Sequence, residues 1–305
     1  MVLLLLSEEV KKKEVKMKLL VSLNSKEVND YLDYTNSFII GLKDYSINYL
    51  EFTYEEIENL LKNNKDLEVF VSINKNIFNN EVKDLENILI KLNKLKLSGI
   101  LFYDLAVLSI VKKLNLSIPL CFHQTHMVTN YNTCNYYFDK GCKYAYLSSE
   151  ITFEEMEEIS NNSKISLMAL FMGHPIVSHS KRKLLSNYFE NYKYEKKNDS
   201  YTIKSGNSAN YFVKETNNGT SILYGNIVNG SRYMLDLENY IDYAILDENF
   251  IEHNLFLEIL DLYKKLLDNN INKEEYLEKI EKLIGNDTGF FNKKTIYKVK
   301  RNEKN

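Results

Sequence analysis

The stretch LEVFVSINKNIFNNEVKDLENILIKLNKLKLSGILFYDLAVLSIVKKLNLSIPLCF, residues 67–122, decides the fold. Three short apolar runs lie in it: Leu67 to Ile73, Gly99 to Tyr103 and Ile118 to Phe122. Two segments of helical period separate them. In Val82 to Leu95, residues Leu85, Ile88, Leu89, Leu92 and Leu95 share one helical face; the second segment is Leu105 to Val111. Strands this short, parted by helices, need crossover connections, and crossovers join parallel neighbours.

The same alternation continues in both directions. Upstream are the runs Lys18 to Leu23, followed by polar SKEVNDYLDY, and Phe38 to Leu42, followed by a helical stretch from Tyr54 to Leu61. Downstream, Tyr131 to Phe138 reads as a helix, then Lys143 to Leu147 as a strand, Glu154 to Ile159 as a helix and Ile165 to Phe171 as a strand. An eighth run, Tyr243 to Leu246, precedes the amphipathic Ile251 to Leu267. Eight such units predict an α/β fold, a (β/α)8 barrel of the TIM type. An open doubly wound sheet is the alternative, but no Gly-rich GxGxxG follows the first run, which counts against a dinucleotide-binding sheet.

This reading divides the chain into a charged lead-in at 1–16, a barrel over 17–285 and a short basic C-terminal extension at 286–305. An insertion after the seventh strand, residues 190–240, is expected to decorate the top face. It contains strand-like pieces at Thr202 to Lys204, Asn210 to Glu215 and Thr220 to Tyr224, and the tripeptide Asn217-Asn218-Gly219 reads as a hairpin turn. Glu274 to Ile284 forms a further amphipathic helix, and the tail after it looks β-like with a frayed end.

The net charge of −3 supplies no global basic field, so any contact with nucleic acid must come from a local patch. Of 39 basic residues only 182, 232 and 301 are Arg. Arg182 stands out because a guanidinium fork reads carboxylate or phosphate in a way that Lys does not, although a chance survivor would look the same. Three cysteines, Cys121, Cys134 and Cys142, form no CxxC pair and no even disulfide framework, which suggests a reducing, cytoplasmic setting. Met1 to Leu6 lacks the flanks of a secretory signal, and no apolar stretch approaches the roughly 18 residues of a membrane span. No membrane partner is expected.

In a parallel barrel, function gathers at the carboxyl ends of the strands. Those ends supply Ser22, Asn24, Gly41, Asn74, Tyr103, Asp104, His123, Gln124, His126, Ser148, Glu150, Gly173, His174 and Asp247, although polar residues also mark where any strand leaves a core. Four of the five histidines, 123, 126, 174 and 179, follow strands five and seven. A metal held by His123, His126 and His174 is conceivable but has no diagnostic spacing, and His174 as a general acid/base or hydrogen-bonding group is the simpler reading. Thr152 and Glu155 form a capping box, which leaves Glu150 free to enter the pocket or to sit in solvent. Lys181, Arg182 and Lys183 together suit an anionic partner, or a solvated basic face. Ser178, His179 and Ser180 are neighbours that cannot aim at one another, and no G-x-S-x-G elbow exists; Cys121 or Cys134 beside a rim histidine is the other covalent option. The aromatics of NYNTCNYYF (130–138) could stack on bases, but the spacing of Tyr131, Cys134 and Phe138 more simply gives a core face.

Three segments, THMVTNYNTCNYYFDKGCKYAYLSSEIT (125–152), GHPIVSHSKRKLLSNYFE (173–190) and TGFFNKKTIYKVK (288–300), together resemble the collagenase-like peptidase family, family U-thirty-two. NYFVKETNNGTSILYGNIVNGSRYMLDL (210–237) resembles the stretch after its signature, so the likeness covers most of 17–300. Within the family the chain resembles the short branch associated with tRNA 5-hydroxyuridine. The resemblance implies a TIM-type barrel and 5-hydroxylation of the tRNA wobble uridine, dependent on prephenate as co-substrate, by an enzyme or by one subunit beside a second family member. The older family name implies instead a peptidase, and a non-catalytic RNA-binding barrel is the third reading. By position, Glu150 falls in the family's L-S-x-E-[IL]-T pattern. Ser180, Lys181, Arg182, Leu185, Asn187 and Tyr188 fall in its S-K-R-x-L-x-x-N-Y pattern, and Asn130 and Thr133 match polar positions after strand five. The expected site is thus His174, Glu150 and Arg182 as catalytic groups, with Lys181, Ser180, Asn187, Tyr188, Asn130, Thr133 and His123 binding substrate and no metal. Where relatives carry H-G-x-x-C and a further Cys, this chain has Met172, Gly173, Ile176 and Lys183, so an iron–sulfur cluster is not supported.

Overall fold

A strand buried on both faces must be apolar on both, and the eight apolar runs form such strands. In the computed structural model, which describes residues 17–205 and 209–293, they are β1 (Lys18–Ser22), β2 (Ser37–Leu42), β4 (Glu68–Ile73), β5 (Gly99–Phe102), β6 (Leu120–Phe122), β7 (Tyr144–Tyr146), β8 (Ser166–Gly173) and β14 (Tyr243–Asp247). A two-residue strand, β3 (Glu51–Phe52), pairs beside β2. The eight are parallel, and β1 closes the sheet by pairing β14 along its length and β2 at Val21↔Phe38. The chain is therefore a closed (β/α)8 barrel of the TIM type.

Alternate strand residues fill the interior, among them Leu20, Ile39, Phe70, Leu101, Tyr144 and Met168. Their neighbours Leu19, Val21, Phe38, Ile40, Val69 and Val71 pack outward in the larger core. The outer layer is α1 (Tyr54–Asn63), α2 (Val82–Leu92), α3 (Leu105–Lys113), α4 (Tyr131–Asp139), α5 (Phe153–Asn162), α7 (His253–Leu267) and α8 (Lys273–Ile284), with α6 (Leu184–Asn191) set apart in the insertion. Thr53 with Glu56, and Thr152 with Glu155, close capping boxes that start α1 and α5. Among the described residues no helix is long and apolar enough to cross a membrane.

Four details differ from the sequence reading. The polar segment after β1 makes only a 3₁₀ turn, Val28–Tyr31, because Val28 and Tyr31 are its only buried anchors. On α4 the inward face is Tyr131, Cys134 and Tyr137: Tyr137 stacks on Phe122 at 3.6 Å, while Phe138 is exposed. The helix is short, so the i, i+3, i+6 row meets the barrel before the i+7 position can. The first part of the tail, Gly289 to Asn292, is a turn whose Phe291 packs between Phe171 and Tyr233, not a strand. Residues 1–16 and 294–305, which include the lead-in and the rest of the basic tail, lie outside the described residues.

The fourth difference is the insertion. It begins at Ile176, not at 190. β9 (Ile176–Ser180), β10 (Ser200–Ser205), β11 (Ala209–Thr216) and β12 (Gly219–Tyr224) form a separate antiparallel sheet ordered β10-β11-β12-β9. The stretch IVSHS is half polar and solvent-facing, so it carries no apolar run to announce a strand. The hairpin at Asn217-Asn218 lies where the sequence put it, between Thr216 and Gly219. Asn218 Nδ2 donates to Ser46 O at 2.7 Å and so ties the hairpin to the barrel. The chain rejoins β8 through the short antiparallel β13 (Val228–Asn229).

One network pins the loop after β14. The Glu248 carboxylate is buried and accepts from Asn24 N (2.9 Å) and Tyr31 OH (2.5 Å), and it meets His253 Nδ1 at 2.7 Å. His253 Nε2 lies 3.2 Å from Asp30. The hydrogen bond to Glu248, followed by the nearby carboxylate charges, raises the His253 pKa. A histidine favoured as its cation stabilises the fold fully below its unfolded pKa, about 6.5, and loses that contribution as pH rises through the higher folded value. The thermal midpoint of the wild type should therefore fall more than that of His253→Gln as pH is raised from about 6 to about 8; parallel curves would refute the coupling.

Candidate functional site

The carboxyl ends of the strands meet under the insertion sheet around a cavity of about 40 Å³. Asn48, Tyr49, His123, Tyr146, His174 and Asp247 line it from the barrel, and Ile176 and Leu223 wall it from the sheet. It adjoins a wider mouth of about 430 Å³, which shares His123, Thr125 and Ile176 and adds Asn74, Gln124, Ser178 and His179.

Two side chains here are more than nine-tenths buried and unpartnered. Both polar atoms of the Asn48 carboxamide lack a hydrogen-bond partner among the described residues, and so does His123 Nδ1. Buried polar groups are normally paired, so orphans that line a cavity point to a ligand or ordered water. His123 stacks on Tyr146 at 4.1 Å and 11°, and burial pushes its pKa down to about 3, so the ring is neutral.

His174 follows β8. Its Nδ1 lies 2.9 Å from Tyr224 O, so the neutral ring donates from Nδ1 and keeps a lone pair on Nε2. Burial lowers its pKa, opposed by the Tyr224 bond and by Asp247. Asp247 sits half-buried at the end of β14, and desolvation raises its carboxyl pKa against the hydrogen bonds it accepts from Asn249. Lys214, on β11, lies within electrostatic reach of Asp247 and Glu51, and desolvation lowers its pKa. The insertion thus adds a cation to the carboxylates of the barrel rim.

Two backbone features hold this arrangement. Phe250 has φ +62°, rare for a bulky residue, and its ring stacks on Phe212 of β11 at 4.5 Å and 3°. His174 meets Phe212 edge-on at 4.9 Å. Gly173 has φ +142°, and a Cβ there would lie 2.7 Å from Asp247 Cβ. Gly173→Ala should therefore cost about 1–3 kcal/mol and displace Asp247. An unchanged thermal midpoint would show that the strand end can relax.

Of the residues expected from sequence, His123 and His174 come together. The others do not. Glu150 turns to the flank, pairs with His126 at 3.1 Å and lines a separate cavity of about 300 Å³ with Tyr211 and Phe290. Asn130 accepts from Thr133 N at 2.9 Å as the cap of α4, which accounts for both. Ser180 Oγ accepts from Arg182 N, a local turn. Lys181 reaches Asn76 O at 3.2 Å and Glu81 at 3.6 Å, strapping the sheet to the loop after β4. Arg182, Asn187 and Tyr188 are exposed on the insertion, and among the described residues the Arg182 guanidinium makes no ion pair. Sequence reasoning passed over Asn48, Tyr49, Tyr146 and Lys214, which belong to no motif; Asp247 carried the one usable signal, its place at a strand end.

Cys121, Cys134 and Cys142 are free and buried. Burial pushes the Cys134 and Cys142 thiols up to about 12 and Cys121 well above its usual value. These thiols fit neither a nucleophile nor a cluster ligand, since both need an accessible thiolate. Among the described residues no group of three or more His, Cys, Asp or Glu could hold a metal.

Residues 26–300 match the family model described as peptidase family U32. The chain is 26% identical to the tRNA hydroxylation protein P2 of Bacillus subtilis, over 86% of this chain and 92% of that protein. It is 29% identical to an uncharacterized protease of Methanocaldococcus jannaschii, over 52% of this chain and 40% of that protein. A solved U32 peptidase, Mk0906, superposes with a TM-score of 0.45 at 13% identity, over 54% of this chain and 72% of the other. With the family match running through nearly the whole barrel and its insertion, the chain belongs to peptidase family U32.

Proposed function

We propose that this chain acts in tRNA modification, as the enzyme or a subunit that hydroxylates the wobble uridine at carbon five. The observation that carries this reading is the cavity. A free, buried carboxamide offers one donor and one acceptor side by side, the complement of a pyrimidine edge, and the neutral His123 stands beside it. A base turned out of an anticodon loop is already unpaired, so presenting its edge to this recess of about 40 Å³, which is too small for the whole ring, costs little. The wider mouth of about 430 Å³ gives it room. The similarity to a tRNA hydroxylation protein over 92% of its length supports the same reading.

The chain's own residues then have separate tasks. Asn48 and His123 hold the base edge, His174 accepts or relays a proton at Nε2, and Phe212 with Phe250 excludes water. Dependence on prephenate belongs to the proposal. Its two carboxylates suit the rim cations Lys181 to Lys183 better than a cavity where Asp247 already supplies negative charge.

A peptidase reading finds one Ser–His contact, His179 Nδ1 to Ser221 Oγ at 3.0 Å, but Ser221 is 1% exposed and out of reach of a substrate. The deciding experiment is nucleoside mass spectrometry of tRNA from cells with and without the gene. Loss of 5-hydroxyuridine and its derivatives, restored by the wild-type gene, is expected. An unchanged profile in a strain without a second family member rejects the proposal.

A further inference from the structure

The insertion sheet carries a second feature that lines none of these cavities. Tyr188, Tyr192 and Tyr194, on α6 and just after it, are 52%, 56% and 61% exposed. Tyr192 and Tyr194 lie nearly parallel, 6.1 Å apart at 16°, and Tyr188 is 4.8 Å from Tyr192. Exposed aromatic rings grouped in one patch mark an interaction surface more often than isolated ones do. Lys193 and Lys197 lie in the same exposed loop and make no ion pair among the described residues. Lys196 is different, being held by Glu215 and Asp199 at 2.9 Å each.

Residues 174–228 hold eight Lys or Arg against four Asp or Glu, a net charge of +4 in a chain whose total is −3, so the remainder carries −7. Net positive charge is concentrated in the insertion and in the C-terminal segment 286–305. A row of rings with free cations between them matches a strand whose bases can stack and whose phosphates repeat along it. A duplex, with its bases already stacked, offers nothing to the rings.

We propose that this face docks single-stranded RNA, outside the cavity and on the same insertion that walls it. The inference rests on the tRNA reading for its biological partner but on separate residues for its chemistry. A strand held on the tyrosines stays tethered to the barrel, because the sheet bearing them also supplies Ile176 and Leu223 to the cavity wall.

The test measures fluorescence anisotropy of the full chain with a short single-stranded oligouridylate, with an RNA duplex of equal length and with vesicles of anionic lipid. The wild type should bind the single strand best, with an affinity that falls as salt rises. Tyr192→Ala and Tyr194→Ala should each weaken it about tenfold, and Lys193→Gln with Lys197→Gln should flatten the salt dependence. All four side chains are exposed, and circular dichroism checks that folding is intact. Equal affinity for the variants, a preference for duplex, or binding to vesicles but not to RNA overturns the proposal. Nucleoside analysis separates the two levels: if deletion of the gene removes 5-hydroxyuridine while the tyrosine variants bind RNA as wild type does, the docking surface is wrong and the tRNA function stands.

Discussion

His174→Asn is expected to lower 5-hydroxyuridine in cellular tRNA by about 100-fold or more, in line with the loss of a positioned proton-transfer group. The substitution is chosen to spare the fold. An Asn amide can replace the Nδ1–H that donates to Tyr224 O at 2.9 Å, and it removes only the Nε2 lone pair and the ring edge against Phe212. Burial keeps this imidazole neutral, so its acceptor is available at neutral pH. The contrast is Glu150→Gln, which should stay within a few-fold of wild type, since Glu150 lies on the flank with His126. Complementation of a deletion strain with each variant, read by nucleoside mass spectrometry, checks both. A silent His174→Asn, or a dead Glu150→Gln, would move the reacting centre to the flanking cavity.

Glu248→Ala should lower stability by about 3–5 kcal/mol, because it removes one partner from a buried charged network. Glu248 is 1% exposed, and its loss leaves Asn24 N and Tyr31 OH without their acceptor. For a chain of this size the thermal midpoint should drop on the order of ten degrees. Glu248→Gln keeps an acceptor oxygen and should cost less. The effect reaches function as well, since Glu248 anchors the loop that follows Asp247 and carries Asn249 and the strained Phe250. Scanning calorimetry decides it: a change under about 1 kcal/mol would mean that water replaces the lost carboxylate.

The barrel was legible because a strand enclosed on both sides tolerates no polar alternation. The run Leu67 to Ile73 became β4 with one residue trimmed, and Tyr243 to Leu246 became β14 with one added. Where that constraint lapses, legibility lapses too. β9 has one face in solvent, so IVSHS carries no apolar run to mark a strand, and Tyr137 rather than Phe138 took the inward place because one residue turns a helix by about 100°. Strand-end position placed His123 and His174 together, since any residue leaving a barrel strand there enters the same mouth. It failed for Glu150, three residues beyond Leu147, because the turn has already swung the side chain outward. Lys181 and Arg182 sit past β9, and nothing local tells which way a strand of a separate sheet will point them. Asn48 reaches the cavity from a loop, and Lys214 comes within electrostatic reach of Asp247 from a distant hairpin, placements that only the folded chain produces.

The insertion leaves the barrel at Gly173 and returns at Val228, and these two residues are paired in register. Departure and return therefore share one point on the rim, and the eight-strand closure needs nothing from what lies between them. Such a junction works as a cassette boundary. Lineages could exchange the segment between 174 and 227 for another length or charge without disturbing the strands beneath, and so redirect one barrel toward a different polymer. Grafting this segment onto a related barrel would be the laboratory form of that exchange.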